Sequence, residues 1–143
     1  MIYIDTSSFL KLVRQEEDSA VTIRAVASET AVILSQLTRL EVEVQLRAQN
    51  LGGILRTNLL KSILIEMDSF VAQPPFQRMR VSADLFEIAL KQHRSTEIHC
   101  RSLDRLHLAA MEELRVKRLL THDVRQAAAA RELGIEVVTP GVV

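Results

Sequence analysis

Short apolar runs alternate with longer helical patterns along the whole chain, and this alternation restricts the possible folds more than any other feature. Strong apolar runs predict buried strands at Ile2–Ile4, Ala31–Leu34 and Ile135–Val138, and weaker runs predict strands at Met79–Val81 and Arg118–Leu120. Apolar residues at helical spacing predict helices at about 6–14, 17–28, 38–49, 54–70, 83–94, 102–115 and 123–133. Strands that alternate with helices form parallel sheets covered on both faces, so the sequence predicts an α/β fold.

The composition narrows the class of protein. The 143 residues are 48% hydrophobic and 25% charged, which is typical of one globular domain with a real core. The formal net charge is zero, so overall basicity gives no indication of a nucleic-acid ligand. Neither a membrane-spanning segment nor a secretory signal is predicted. The single cysteine, Cys100, excludes an internal disulfide and fits a reducing compartment, so we expect a cytosolic protein.

Two acidic residues follow predicted strands almost directly. Asp5 ends the first strand, and Asp123 follows the sequence RLLT by one residue. Open parallel sheets bind ligands beyond the carboxyl ends of their strands, near a switch in strand order. A carboxylate buried there is costly unless it is paired with a cation or bound to a metal. Asp5 and Asp123 are therefore candidates for one site.

Two further acids lie on predicted helices. Glu41 follows the second strand, and its helical position places it among apolar neighbours, whereas Glu43 points to the opposite side. The apolar face predicted for the Glu41 helix comprises Leu37, Leu40, Val44 and Ala48. Asp104 is expected at the flank of an apolar stripe on the helix at 102–115. That stripe comprises Leu103, Leu106, Ala110 and Leu114.

Each of these acids also has a purely structural interpretation. Asp123 begins a capping-box pattern, and Glu41 completes another. Asp5 would cap the first helix. Asp104 would lie in the first turn of its helix, where the helix dipole favours a negative charge. Together, however, the four acids occur near four strand-to-helix junctions, and their convergence would require a cation. Carboxylate oxygens without paired histidine or cysteine suit Mg²⁺ or Mn²⁺ rather than Zn²⁺. Such sites hydrolyse phosphodiesters because the ion activates water and stabilises charge on the leaving oxygen.

Four segments carry a family resemblance in their order and spacing: MIYIDTSSFLKL, SQLTRLEVEVQLR, RSLDRLHLAAMEEL and LLTHDVRQAAAARELGIEVVTPG. Together they resemble a PIN-domain protein, and most closely the VapC-type toxin ribonucleases of bacterial toxin–antitoxin pairs. The resemblance covers residues 1–143 as a single domain. It implies a three-layer α/β/α sandwich with a five-stranded parallel sheet of order 3-2-1-4-5.

The resemblance also implies a function. It implies an endoribonuclease that depends on Mg²⁺ or Mn²⁺, usually forms a homodimer, and is held inactive by a cognate VapB-like antitoxin. The implied catalytic and metal-binding acids are Asp5, Glu41, Asp104 and Asp123. The implied supporting hydroxyl residues are Thr6, Ser7 and Thr121. His122 departs from the family pattern, in which Tyr or Asn is common at this position.

Several residues outside the acid set suggest further hypotheses. Arg101 and Arg105 flank one of the acids and are candidates for contact with RNA phosphates. His107 is expected to be a packed core histidine. Several apolar helix sides, such as that of Val42 and Leu46, leave more apolar surface than one core needs, and we expect some of it to form a homodimer interface and a groove for an antitoxin helix. Aromatic residues make up only 3% of the chain, so base stacking is not expected to dominate RNA recognition.

Two other interpretations stay open at this stage. A receiver-like aspartate phospho-acceptor also carries Asp at the end of its first strand. The acid pair and late lysine of receivers are missing here, and Ser7 stands where related phosphatases carry a second Asp. The other interpretation is a PIN-fold module that binds RNA or protein without catalysis, against which the complete set of four acids argues.

Overall fold

The computed structural model describes residues 1–142, and its elements alternate along the chain. The five strands are β1 (Ile2–Ile4), β2 (Val32–Ser35), β3 (Phe76–Met79), β4 (Arg118–Leu120) and β5 (Glu136–Val138). The seven helices are α1 (Thr6–Val13), α2 (Ser19–Ala27), α3 (Gln36–Leu51), α4 (Thr57–Val71), α5 (Leu85–Ser95), α6 (Ser102–Glu113) and α7 (Val124–Glu132). Within residues 1–142, none of the helices has the length and apolar character needed to cross a membrane.

The strands form one parallel sheet with the order β3-β2-β1-β4-β5, which confirms the predicted topology. Strand β1 lies at the centre, where Tyr3 pairs with Ile33 of β2 on one side and with Leu119 of β4 on the other. This order differs from the 2-1-3-4-5 order of receiver-type sheets, so the receiver-like interpretation is wrong. The carboxyl end of β1, and therefore Asp5, lies at the switch point of the sheet.

Two hydrophobic clusters cover the two faces of the sheet and produce the three layers. Side chains alternate along β1, so Ile2 and Ile4 enter one cluster while Tyr3 enters the other. Helices α1 to α4 contribute to the first cluster, and helices α5 to α7 contribute to the second. Strands β1 and β2 are fully buried because both of their faces lie against helices.

The buried face of α3 differs from the predicted one. Val42 and Leu46 are fully buried, whereas Leu40 and Val44 are 61% and 58% exposed. The cause lies at the start of the helix, where Thr38 Oγ1 donates a hydrogen bond to the Ile4 carbonyl at 3.0 Å. This bond turns position 38 inward, and the residues four and eight positions later follow it into the core. Val42 and Leu46 therefore belong to the core, and they are not part of the apolar surface that is left for an interface.

The buried face of α6 also differs from the predicted stripe. Asp104, His107, Leu108 and Met111 are buried, whereas Leu103 is 45% exposed. The His107 ring bonds to Tyr3 of β1 and to Glu41 of α3, and these polar contacts favour the observed rotation of α6, which the apolar pattern alone did not indicate. Asp104 consequently lies on the buried face rather than at its flank.

Strand β3 begins three residues earlier than predicted. It spans Phe76–Met79, whereas the weak apolar run indicated Met79–Val81. This strand lies at the edge of the sheet, and three of its four residues are exposed. An exposed strand carries a weak hydrophobic pattern, so the sequence did not indicate where β3 begins. In the structure, pairing with Val32–Ser35 of β2 defines its register.

The position of α3 predicts a contrast between two neighbouring apolar residues. Leu46→Ala should lower the free energy of unfolding by about 2–5 kcal/mol, because it opens a cavity in the first cluster. Val44→Ala should change it by no more than about 0.5 kcal/mol, because this side chain is exposed. Urea denaturation measures both values. Equal losses for the two variants would contradict the observed rotation of α3.

Candidate active site

One cleft at the carboxyl edge of the sheet brings together the four acids that the sequence singled out. Asp5, Glu41, Asp104 and Asp123 all line this cleft, which has a volume of about 370 Å³. Each acid arrives on a different connection: Asp5 after β1, Glu41 on α3, Asp104 on α6 and Asp123 after β4. Residues far apart in the chain therefore meet because parallel strands end at the same edge.

A larger groove, of about 810 Å³, lies beside β2 and β3 and contains none of these four acids. Its wall includes Glu43, which forms an ion pair with Arg39, and Arg39 also pairs with Asp68. Both ion pairs have N–O distances of 2.6 Å. Both acids of this groove, Glu43 and Asp68, are thus paired with Arg39. The smaller cleft, with its four acids, has the greater concentration of negative charge.

Asp5 forms the floor of the cleft and is 2% exposed. It caps α1, since the Ser8 amide donates to its Oδ1 at 2.9 Å. Thr121 Oγ1 donates to Oδ2 at 2.5 Å, and Ser7 Oγ lies 2.8 and 2.9 Å from the two oxygens. Burial raises the pKa of Asp5 above its usual range, although the bonds from Thr121, Ser8 and Ser7 act in the opposite direction.

The hydroxyl groups also tie the β1–α1 and β4–α7 junctions together. Thr121 Oγ1 accepts a bond from the Asp123 amide at 3.0 Å, and Ser7 Oγ accepts one from the His122 amide at 2.9 Å. Asp123 in turn caps α7 by accepting two backbone N–H bonds, so its structural and functional interpretations coexist. The His122 ring lies between Ser8 Oγ and the carbonyl of Pro140, at 2.8 and 3.0 Å. The unusual residue at position 122 therefore anchors the C-terminal segment.

Glu41 lies on the wall of the cleft opposite α6. Thr6 Oγ1 donates a hydrogen bond to its Oε1 at 3.1 Å, and His107 Nε2 bonds to the same oxygen. Partial burial raises the pKa of Glu41, but the bonds from His107 and Thr6 and the charge of Arg101 outweigh this effect. The pKa of Glu41 is therefore lowered, and the side chain is ionised at neutral pH.

Arg101 bridges the two remaining acids. Its Nε donates to Asp104 at 2.9 Å, and its Nη2 donates to Asp123 at 2.9 Å. The Arg101 side chain is 64% exposed, whereas Asp104 is buried. The hydrogen bond to Asp104 raises the pKa of Arg101. An exposed guanidinium thus partly neutralises an otherwise acidic cleft.

Arg105 does not lie in the cleft. It is 6% exposed, and its Nη2 donates to Thr96 Oγ1 at 3.1 Å and to the Ile98 carbonyl at 3.4 Å. Arg105 follows Asp104 on the helix but points away from it, because adjacent positions on a helix face different directions. The hypothesis that Arg105 contacts RNA phosphate is therefore wrong, whereas Arg101 lies where that hypothesis requires.

His107 and Tyr3 are the residues that the sequence interpretation did not connect with the site. His107 is buried as predicted, but its ring also reaches Glu41 on one side and Tyr3 on the other. The signal that was available is its spacing from Asp104, because positions three apart share one side of a helix. Nothing in the pattern of β1 distinguished Tyr3 from its apolar neighbours.

The donor set fits a hard divalent cation. Four carboxylates supply oxygen ligands of the kind that Mg²⁺ and Mn²⁺ prefer. Among residues 1–142, no three acidic, histidine or cysteine side chains are arranged so that they could hold an ion as they stand. Arg101 holds Asp104 and Asp123 by ion pairs, so an ion would replace its guanidinium as their counter-charge.

Comparison with known proteins decides the family. The model of the PIN domain family matches residues 2–139. The chain belongs to the PIN domain family. This PIN domain is 29% identical to Ribonuclease VapC35 of Mycobacterium tuberculosis, in an alignment that covers 99% of this chain and 98% of the relative.

Solved structures agree with the fold of this PIN domain. VapC20 of Mycobacterium tuberculosis superimposes with a TM-score of 0.65 and 21% identity, over 90% of this chain and 95% of that chain. A VapBC2 structure from Rickettsia felis superimposes with a TM-score of 0.71 and 12% identity, over 97% of this chain and 98% of that chain.

The buried carboxylate of Asp5 predicts a pH-dependent stability in the absence of divalent ions. Because burial raises its pKa, the folded protein binds this proton more tightly than the unfolded chain does. Its contribution to stability is therefore present in acid and is lost as the pH rises through the raised pKa. Asp5→Asn should raise the melting temperature in EDTA at neutral pH, and the difference from the wild type should shrink in acid.

Thermal unfolding monitored by circular dichroism measures this difference. Glu43→Gln is the control, because Glu43 lies outside the cleft and pairs with Arg39. An Asp5→Asn protein that melts below the wild type in EDTA at neutral pH would contradict the interpretation of Asp5 as a costly buried charge.

Proposed function

We propose that this PIN domain is a divalent-metal-dependent endoribonuclease that acts as the toxin of a toxin–antitoxin pair. The observation that carries the proposal is the meeting of Asp5, Glu41, Asp104 and Asp123 in one cleft at the switch point of the sheet. The similarity to Ribonuclease VapC35 along nearly the full length of both chains supports the same activity. The alternative, a PIN-fold module that binds RNA or protein without catalysis, has no comparable support, since binding alone does not require four converging acids.

Asp5, Asp104, Asp123 and Glu41 would hold Mg²⁺ or Mn²⁺. When bound there, the ion would supply a water activated for attack on phosphorus and would stabilise charge on the leaving oxygen. The expected products carry a 5′-phosphate and a 3′-hydroxyl.

The chain's own groups have distinct roles in this proposal. Thr121, Ser7 and the Ser8 amide fix the orientation of Asp5 at the floor of the cleft. Glu41 is kept ionised, so its carboxylate is available as a ligand for the cation. Arg101, released from its acids, would donate to the RNA phosphate, for which its exposed, forked guanidinium is well suited.

Relatives and exposed surface support the toxin role. The Rickettsia felis structure is a VapBC2 bound to a DNA fragment from its promoter, and VapC20 is described as a toxin that cleaves the Sarcin-Ricin loop. In this chain, Leu40, Val44 and Ile54 are more than half exposed on or next to α3. We propose that such apolar surface contacts a second copy of the chain or a VapB-like antitoxin. An RNA substrate and this partner imply action in the cytoplasm.

The catalytic proposal predicts loss of RNA cleavage when a cleft acid is neutralised. Asp5→Asn and Asp104→Asn should each lower kcat/KM by at least about 10–100-fold, because losses of this size follow even from removing outer-shell partners of metal sites. EDTA should stop cleavage by the wild type, and Mg²⁺ or Mn²⁺ should restore it. End-labelled RNA, separated on sequencing gels, measures the rates and identifies the product ends.

Glu43→Gln should cleave at the wild-type rate, since Glu43 belongs to the larger groove. Undiminished cleavage by Asp5→Asn, or by the wild type in EDTA, would contradict a metal-dependent mechanism. Expression of the wild type, but not of Asp5→Asn, should arrest growth of the host, and co-expression with a cognate antitoxin should relieve the arrest.

A further inference from the structure

A continuous chain of hydrogen bonds runs from the buried face of the sheet to the acidic cleft. Tyr3 Oη lies 2.5 Å from Ser35 Oγ and 2.7 Å from His107 Nδ1, and His107 Nε2 bonds to Glu41 Oε1. Tyr3, Ser35 and His107 are each no more than 1% exposed. The two rings meet edge to face, with centroids 5.7 Å apart. Three elements, β1, β2 and α6, therefore converge on one carboxylate of α3.

The chemistry of the groups gives these bonds a direction. An ionised Glu41 can only accept, so His107 donates from Nε2, and the Nδ1 of a neutral ring accepts from the Tyr3 hydroxyl. Tyr3 Oη then accepts from the Ser35 hydroxyl, while Ser35 Oγ accepts from the Thr38 amide at 3.3 Å. In the reverse direction the Ser35 hydroxyl would have only Thr38 Oγ1, at 3.5 Å. The first arrangement satisfies every group at shorter distances.

The hydrogen bonds to Glu41 also determine which of its two oxygens is available in the cleft. His107 and Thr6 both bond to Oε1, so Oε2 remains for a ligand in the cleft. A glutamate side chain has three rotatable bonds, and an exposed one would sample several rotamers. Here two donors from different elements, α1 and α6, restrict it to one.

We propose that His107 is a positioning residue, which holds Glu41 in one orientation toward the cleft, and that Tyr3 holds the His107 ring in place by its hydrogen bond to Nδ1. This inference rests on the proposed function, because Glu41 matters only if the cleft is catalytic. His107 itself is 1% exposed, at the buried wall of the cleft, so it acts through Glu41. Its role resembles that of the partners that orient ligands from behind a metal site.

Two substitutions test this role. His107→Leu removes the donor to Glu41, and Tyr3→Phe removes only the hydroxyl that bonds to Nδ1 of the His107 ring. His107→Leu should lower kcat and Mg²⁺ affinity by about 10–100-fold with little change in KM for RNA, and Tyr3→Phe should have a smaller effect in the same direction. His107→Gln, which retains an N–H donor, should recover part of the loss. Calorimetry with MgCl₂ measures affinity separately from turnover.

A matched control separates positioning from stability. Gln92→Leu removes another buried polar side chain, which bonds to Leu108 and Glu112 outside the cleft. This variant should be destabilised but should keep the wild-type kcat and Mg²⁺ affinity. If it loses both as strongly as His107→Leu does, the effect is one of stability and the positioning role is wrong.

The chain contains one tyrosine and no tryptophan, so Tyr3 is the only tyrosine or tryptophan fluorophore. Adding MgCl₂ should change Tyr3 emission in the wild type, because an ion at Glu41 alters the bonds through His107, and should leave it unchanged in His107→Leu. Wild-type protein that neither binds Mg²⁺ nor cleaves RNA would overturn both proposals. An active wild type whose His107→Leu and Tyr3→Phe variants retain its kcat and Mg²⁺ affinity would overturn the positioning role alone.

Discussion

The structure depends on a carboxylate buried at the end of its central strand. Asp5 receives bonds from Thr121, Ser7 and the Ser8 amide, and these bonds join the β1–α1 and β4–α7 junctions. A buried charge of this kind opposes folding unless it is compensated, and burial raises its pKa accordingly. The hydroxyl groups that surround it offset only part of this cost. The negative charge of Asp5 is therefore only partly compensated by its neighbours, and this uncompensated charge favours the binding of a cation.

The other three acids are restrained in two different ways. Asp104 and Asp123 share Arg101, while Glu41 is held by Thr6 and by the buried pair of His107 and Tyr3. The first restraint is exposed, since the Arg101 side chain is 64% exposed. The second is buried, since Thr6, His107 and Tyr3 are each no more than 6% exposed. A site of this design separates the groups that can exchange partners from the group whose orientation is fixed.

The sequence predicts the order of elements and the meeting of the acids, because both follow from short apolar runs and from where parallel strands end. It does not predict the rotation of α3 or α6. On α3 the bond from Thr38 to the Ile4 carbonyl decides which residues are buried, and on α6 the polar contacts of His107 contribute. When a helix has two comparable apolar faces, its apolar pattern does not show which of the two faces is buried. The sequence also does not predict the hydrogen bond between Tyr3 and His107, because each residue alone resembles an ordinary core residue.

The central claim is that the four acids form one divalent-cation site, and anomalous diffraction from crystals soaked in MnCl₂ tests it most directly. We predict an anomalous peak in the cleft with Asp5 among its ligands, and Arg101 withdrawn from Asp104 and Asp123. The same soak of Asp5→Asn crystals should give a weaker peak or none. A wild-type crystal in which Mn²⁺ binds only elsewhere, with Arg101 still bridging the two aspartates, would contradict the claim.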